Sequence, residues 1–346
     1  MTTAKIASTS VTRILFNTDV PYRLTEAERA GLRAVCPGAE IVEAHGNAAA
    51  REPDLSNVNV LITDQKVPAD LRACPRLEWM QLVSAGANQL LQHPLAETSI
   101  PVTTASGLHG VPIAQFAMGA LLMLVHQFPQ LAAIQATRQW PESRWSLRGA
   151  LLRGKTAGIV GYGSIGRECA RQLHALGMRV VALDPGGKRD EGYNVWPGTG
   201  DPEGKIPERW FSPAQLRDML PLCDVVVVAV PLTPATSGMI GRAELSLIGK
   251  DARIIVVSRG GIVDEPALAA ALRDGQIAGA AVDCFVQEPP PADHVFYGAP
   301  NLIMTPHIAG AYEGFWPAMI ALFTENLRRF KQGLPLLNLA DKRLGY

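Results

Sequence analysis

Six short apolar runs recur between residues 157 and 304, and no polar residue interrupts them: Ala157–Val160, Val180–Leu183, Val225–Val230, Ile254–Val257, Gly279–Val282 and Leu302–Met304. Longer stretches of helical spacing separate most of them. Strands that are apolar on both faces belong to a parallel sheet covered by helices on both sides, because only there do both faces leave water. The fold class is therefore read as α/β. Six such strands match a doubly wound sheet, which takes its ligand beyond the carboxyl ends of the strands.

A shorter series precedes them. Arg13–Phe16, Val60–Thr63, Trp79–Val83 and Pro101–Thr104 read as strands, and Thr25 with Glu28 three residues on reads as a capping box at a helix start. Two helices, near Ile113–Gln127 and Gln130–Trp140, lead from this series to the next. A last helix, Met319–Gln332 ended by Gly333, is expected to return to the first series. The expectation is two Rossmann-like or flavodoxin-like parallel-sheet domains. Residues 1–113 with 318–346 form a discontinuous substrate domain, and residues 114–317 form a dinucleotide-binding domain. The segment Gly186–Arg209, rich in Gly, Pro and charge, reads as a surface insertion with little regular structure.

Composition removes several functions. The chain carries 32 Lys and Arg against 32 Asp and Glu. That balance argues against nucleic acid or an anionic membrane as a partner held by bulk charge. The longest helical apolar stretch, Phe116–Val125, is half of the roughly 20 residues that span a bilayer. The first residues lack the apolar core of a signal peptide. Five scattered cysteines without a CxxC pair read as buried, reduced thiols of a cytoplasmic protein, and no metal site is expected.

The segment Gly161-Tyr162-Gly163-Ser164-Ile165-Gly166 fits GxGxxG. Glycine clusters also make ordinary turns, so the context matters. An apolar strand precedes it, a helix near Arg167–Leu176 follows, and the next strand ends on Asp184. Asp184 lies 23 residues past Gly161, where about 20 is the usual interval. Gly161 permits the tight turn, Gly163 lets the backbone approach a pyrophosphate, and Gly166 lets helix and strand pack closely. The amides of Ser164 and Ile165, with the positive end of the helix dipole, then face the phosphates. Asp184 would accept from the adenosine ribose and repel a 2′-phosphate, which favours NAD over NADP. Lys188 and Arg189 follow, and would blur that preference unless they are only solvated loop charges.

Four ordered stretches resemble the D-isomer-specific 2-hydroxyacid dehydrogenase family: the run from Gly154 to Gly166; Pro231-Leu232-Thr233-Pro234 with Thr236; Ser258-Arg259-Gly260-Gly261-Ile262-Val263-Asp264-Glu265; and Asp283-Cys284-Phe285 through Glu288-Pro289 to Thr305-Pro306-His307-Ile308-Ala309-Gly310. The resemblance implies an NAD-dependent 2-keto acid reductase of the glyoxylate or hydroxypyruvate kind. It places the family's catalytic Arg, Glu and His on Arg259, Glu288 and His307. A guanidinium suits the carboxylate and carbonyl of a 2-keto acid. An imidazole suits proton delivery near neutral pH, and a carboxylate behind it fixes the tautomer. Each also has a plainer alternative: Arg259 as an ion-pair partner, Glu288 as a loop charge, His307 as a core histidine.

The resemblance further implies that the backbone of Ser84-Ala85-Gly86 grips the substrate carboxylate. It makes Val230, Pro231, Thr236, Val257, Ser258, Asp283 and Gly310 cofactor contacts, with Asp283 near the nicotinamide amide. It implies a homodimer joined through Ile113–Trp145, with Trp140 reaching towards the neighbour's site or simply packing. It also implies that the regulatory C-terminal domain of many phosphoglycerate-type members is missing. The chain departs from the pattern at Gln115, at His126 and in the bulky Ala311–Trp316 loop, which bears on substrate identity. Two other readings stand beside this one. A corepressor-like NADH sensor is disfavoured by the absence of a basic tract or long disordered tail. A formate-dehydrogenase-like relative is disfavoured by Glu288, since its histidine needs no partner carboxylate.

Overall fold

The computed structural model describes residues 11–20, 22–45, 53–64, 66–187 and 193–346. Lys188 and Arg189 lie outside the described residues. The chain divides into two compact units: the described parts of Met1–Leu108 with Tyr312–Tyr346, and His109–Ala311.

The first unit holds β1 (Arg13–Thr18), α1 (Glu26–Val35), β2 (Glu40–His45), β3 (Val60–Thr63), β4 (Trp79–Leu82) and β5 (Val102–Thr103). Its five strands are parallel, in the order β2-β1-β3-β4-β5, which is the flavodoxin-like arrangement. The capping box forms as read: the Thr25 hydroxyl accepts from the Glu28 amide, and the Glu28 carboxylate accepts from the Thr25 amide. Strand β2 was not anticipated. It is an edge strand, and its two glutamates break the apolar run that marks the other strands.

A helix, Phe315–Gln332, closes this unit. Trp79 is fully buried and stacks on Phe323 at 5.0 Å and Phe330 at 5.7 Å between ring centres. Buried Asn326 accepts from the Leu337 amide at 2.8 Å and donates to the Leu337 carbonyl at 3.1 Å, which ties down the chain beyond the helix. The helix starts four residues earlier than the expected Met319. Pro317 stands in its first turn, where a missing N–H breaks no helical bond. Phe315 and Trp316 are thus helical rather than part of a loop, and Trp316 stacks on Tyr22 with ring centres 5.0 Å apart.

The second unit contains α2 (Gly110–Val125), α3 (Phe128–Thr137), β6 (Thr156–Val160), α4 (Ser164–Ala175), β7 (Arg179–Leu183), β8 (Arg209–Phe211), α5 (Leu216–Met219), β9 (Val225–Val228), α6 (Arg242–Leu245), β10 (Arg253–Val256), α7 (Glu265–Arg273), β11 (Gly279–Val282) and β12 (Leu302–Met304). Its strands run parallel in the order β12-β11-β10-β9-β6-β7-β8. This is the Rossmann order with one strand added beyond the usual six. Strands β6 and β9 are buried along their whole length. Small residues let α2 approach α4: a Cβ on Gly110 would lie 3.1 Å from the Ser164 carbonyl.

The described part of the insertion, 193–208, holds no helix or strand, as expected, but it is not wholly at the surface. It leads into β8, an unanticipated strand paired in parallel with β7, and Gly200 and Asp201 are buried. The three-residue strand is too short to show as an apolar run. All five cysteines are free and buried. No single helix among the described residues is long and apolar enough to cross a membrane.

Candidate active site

The glycine-rich loop leaves β6 at the point where the strand order reverses, between β6 and β9. Gly161 has φ +97°, and a Cβ there would lie 2.8 Å from the Ala229 carbonyl and from Val230. A Cβ on Gly166 would lie 2.0 Å from the Gly161 carbonyl oxygen, so helix α4 can approach this loop only through glycine. Gly163 has open space where a Cβ would point. Helix α4 begins at Ser164, so the amides of Ser164 and Ile165 belong to its first turn and have no partner within the helix.

Asp184 stands just beyond β7 and is 5% exposed. Its carboxylate accepts from the Tyr162 amide at 3.2 Å and the Gly186 amide at 2.8 Å. Thr236 folds the 231–236 turn on itself, donating to the Pro231 carbonyl at 2.6 Å. Val230 and Val257 are buried. The buried Ser258 Oγ has no hydrogen-bond partner among the described residues, a state that costs about 1–3 kcal/mol until a donor or acceptor arrives. An open glycine turn, unpaired helix amides, a carboxylate at the next strand end and an orphaned hydroxyl all fit a dinucleotide.

The other candidate groups follow three adjacent strands. Arg259 follows β10, Glu288 follows β11, and His307 follows β12. His307 Nδ1 lies 2.9 and 2.8 Å from the two Glu288 carboxylate oxygens. Glu288 is fixed in turn by the Phe285 amide, which donates to its Oε1 at 2.9 Å. Both side chains remain about two-fifths exposed, His307 at 39% and Glu288 at 38%. His307 is therefore no core histidine, and Glu288 is no solitary loop charge.

His307 holds a left-handed backbone, φ +51°. Asp283, 4% exposed, supports that conformation. Its Oδ1 accepts from the Thr305 hydroxyl at 2.6 Å and the Ile308 amide at 2.9 Å, and its Oδ2 accepts from the Ala309 amide at 2.9 Å. The carboxylate grips the loop on both sides of His307, a use distinct from the nicotinamide contact the resemblance implies. Gly310 lies next on that loop, its carbonyl 3.3 Å from His109 Nδ1.

Arg259 donates to the Ser258 carbonyl at 2.9 Å, and no carboxylate among the described residues forms an ion pair with it. Its remaining N–H donors are available to an anion. Burial pushes the neighbouring Cys284 thiol up to about 12, although the Arg259 guanidinium pulls the other way. That thiol is held protonated and is no nucleophile.

Two features of this cluster escaped the sequence reading. A Cβ on Gly260 would lie 2.0 Å from the Phe285 carbonyl carbon and oxygen, so the arginine loop presses on the segment that carries Glu288. Glu265 accepts from the Val286 amide at 2.7 Å and meets His294 Nε2 at 3.0 Å. The amides of residues 285 and 286 thus hang from two carboxylates, each paired with a histidine. Glu265 stood only as the last residue of the family-like stretch Ser258–Glu265, and His294 carried no motif.

Ser84, Ala85 and Gly86 follow β4 in the first unit. The Ser84 hydroxyl donates to the Gly86 carbonyl at 2.6 Å, and the Ala87 amide donates to the Gly345 carbonyl at 2.9 Å. Trp140 is 82% exposed. Among the described residues, no three His, Cys, Asp or Glu side chains are grouped as a metal ion would require.

Comparison with known proteins agrees with this geometry. Residues 118–309 match the profile of the D-isomer specific 2-hydroxyacid dehydrogenase NAD binding domain. The chain is 32% identical over 247 residues to D-3-phosphoglycerate dehydrogenase of Rattus norvegicus, covering 71% of this chain and 43% of the relative. It spans about half the length of the phosphoglycerate dehydrogenases it matches. It is also 32% identical over 269 residues to a glyoxylate reductase of Thermofilum pendens, covering 77% of this chain and 76% of the relative. Among solved structures, a D-isomer specific 2-hydroxyacid dehydrogenase family protein from Aeromonas salmonicida superposes with a TM-score of 0.79 at 27% identity, over 96% of this chain and all of that one. A family member from Xanthobacter autotrophicus, solved with NADPH and MES, gives 0.77 at 25% identity over 98% of this chain and all of that one.

Proposed function

The chain belongs to the D-isomer-specific 2-hydroxyacid dehydrogenase family, and we propose that it reduces a small 2-keto acid to the D-2-hydroxy acid with NADH, as a glyoxylate or hydroxypyruvate reductase does. The observation that carries this reading is the His307–Glu288 pair, 2.8 Å apart, beyond the same strand ends as a guanidinium that no carboxylate among the described residues neutralises.

The residues divide the work by their chemistry. Arg259 holds the substrate carboxylate and polarises its carbonyl with the planar fork of donors that lysine lacks. Backbone amides of Ala85 and Gly86 are proposed to help bind that carboxylate. With Nδ1 engaged by Glu288, His307 presents Nε2 as the nitrogen that gives a proton to the carbonyl oxygen and takes it back in the reverse direction. Glu288 fixes the ring's orientation, so that Nε2 faces the substrate side. When bound, the nicotinamide supplies the hydride that the carbonyl carbon accepts. Gly161, Gly163, Ser164, Ile165 and Gly166 would hold the pyrophosphate, and Asp184 the adenosine ribose. The strand-end segments at Val230-Pro231, Val257-Ser258 and Gly310 would line the rest.

Purified protein with NADH or NADPH is to be assayed by absorbance across glyoxylate, hydroxypyruvate, pyruvate and longer keto acids. Steady oxidation of NADH with at least one of them is expected. NADH binding without turnover on any of them replaces this reading with that of an NADH sensor.

Asp184 sets the cofactor preference in this proposal. Asp184→Ala removes the charge that repels a 2′-phosphate and leaves two backbone amides without their acceptor. NADH affinity is expected to fall about tenfold, the scale of one charge-assisted hydrogen bond, while NADPH loses less. Titration with both cofactors checks it; an unchanged ratio removes Asp184 from the role.

A second copy of the chain is proposed as partner. Helix α3 buries none of its residues, and Phe128, Trp140, Trp145 and Leu151 are exposed. Large apolar side chains exposed along one stretch of chain support an interaction surface there. Sedimentation velocity is expected to show a dimer; a monomer alone, at concentrations well above micromolar, removes this part.

A further inference from the structure

We infer that Asp201, carried by the segment between β7 and β8, is a positioning residue for dinucleotide binding, acting through Tyr162 of the glycine-rich loop. The inference rests on the reading that this loop takes a dinucleotide.

Tyr162 stands between Gly161 and Gly163, yet its side chain is 1% exposed. Its hydroxyl donates to Asp201 Oδ2 at 2.7 Å. Trp210 meets the ring edge-on, with centres 4.8 Å apart. The Arg167 guanidinium, on α4, lies 5.1 Å from the ring centre and donates to the Asp201 carbonyl. The Tyr162 amide meanwhile donates to Asp184. The residue between the two glycines is therefore pinned at its backbone by one carboxylate and at its phenol by another.

Asp201 is itself locked. Its side chain accepts from the amides of Lys205 at 2.9 Å and Ile206 at 3.0 Å. One residue earlier, the Gly200 amide donates at 2.7 Å to Glu168 of α4, whose carboxylate Arg171 and Gln172 also hold. The segment is thus clamped to the first turns of the helix whose N-terminus faces the phosphates.

Burying Tyr162, Arg167, Glu168 and Asp201 together is costly, and apolar side chains of similar volume would often serve stability as well or better. A polar network adds direction: it admits one arrangement of the loop it holds. A loop already in its bound arrangement gives up less entropy when a ligand arrives, so affinity rises without a new contact to that ligand. Asp201 touches neither substrate nor cofactor in this account; its influence passes through the Tyr162 phenol.

The test uses the full chain with Asp201→Asn and, separately, Tyr162→Phe. Both keep the shape of the side chain, and circular dichroism fixes a temperature at which each variant is folded. NADH is the probe, followed by its fluorescence. The Kd for NADH is expected to rise about tenfold in either variant, the size of one lost hydrogen bond to a charged acceptor. The double variant is expected to add little, because both changes remove the same bond. In turnover the loss is expected in KM for NADH and not in KM for the keto acid. A lowered melting temperature with Kd for NADH unchanged would assign Asp201 to stability alone and overturn the inference. If the unaltered chain binds NADH but reduces no 2-keto acid, the proposed function falls while the Kd comparison still decides this one. If it binds no NADH, both fall.

Discussion

His307→Asn is expected to lower keto acid turnover by at least about 100-fold, the usual scale for loss of a general acid, while NADH binding stays nearly intact. The substitution suits this position. His307 has a left-handed backbone, φ +51°, and asparagine is among the few non-glycine residues that adopt it readily. The grip of Asp283 on Thr305, Ile308 and Ala309 does not involve the imidazole. What disappears is the ring nitrogen that carries the proton. Turnover assays beside NADH titration check it, and near-normal turnover in the variant would remove His307 from the role.

Gly260→Ala is expected to be almost as damaging, although residue 260 offers no side chain to the reaction. The added methyl would lie 2.0 Å from the Phe285 carbonyl and 2.3 Å from the Val286 amide nitrogen. Both obstacles are backbone, so no side chain can swing aside. The Phe285 amide holds Glu288, and the Val286 amide is held by Glu265. Relief of the overlap displaces one of these attachments and with it the carboxylate behind His307. A displacement of about 1 Å near reacting groups costs about 100-fold in rate, and overpacking of this kind costs about 1–3 kcal/mol in stability. Turnover and thermal melting should fall together. Wild-type values for both would show that the arginine loop has slack, and would uncouple it from Glu288.

The residues that could be read in advance were those whose geometry is local. The glycines at 161, 163 and 166 declare a turn between strand and helix, and the interval to Asp184 follows from one helix and one strand. Arg259, Glu288 and His307 were nominated through ordered motifs that resemble a family, although their spacing alone would not have selected them. The contacts that hold them were not legible. Gly260 meets Phe285, Glu265 meets Val286 and His294, and Tyr162 meets Asp201 only after separate strands lie side by side. Asp201 stands in a stretch of Gly, Pro and charge whose composition resembles any solvated loop. Strand β2 escaped for a related reason, since an edge strand has no need of a continuous apolar run.

The closing helix, Phe315–Gln332, has a consequence for biosynthesis. Trp79 finds its aromatic partners on Phe323 and Phe330, yet the whole Rossmann unit is translated between them. At about 5–20 residues per second, that interval is roughly 12–50 s. Throughout it the nascent amino-terminal sheet lacks the helix that covers Trp79, while His109–Ala311 emerges as an uninterrupted block able to condense first. The order of assembly on the ribosome is therefore expected to invert the order of the message, with the earliest strands among the last to be sealed.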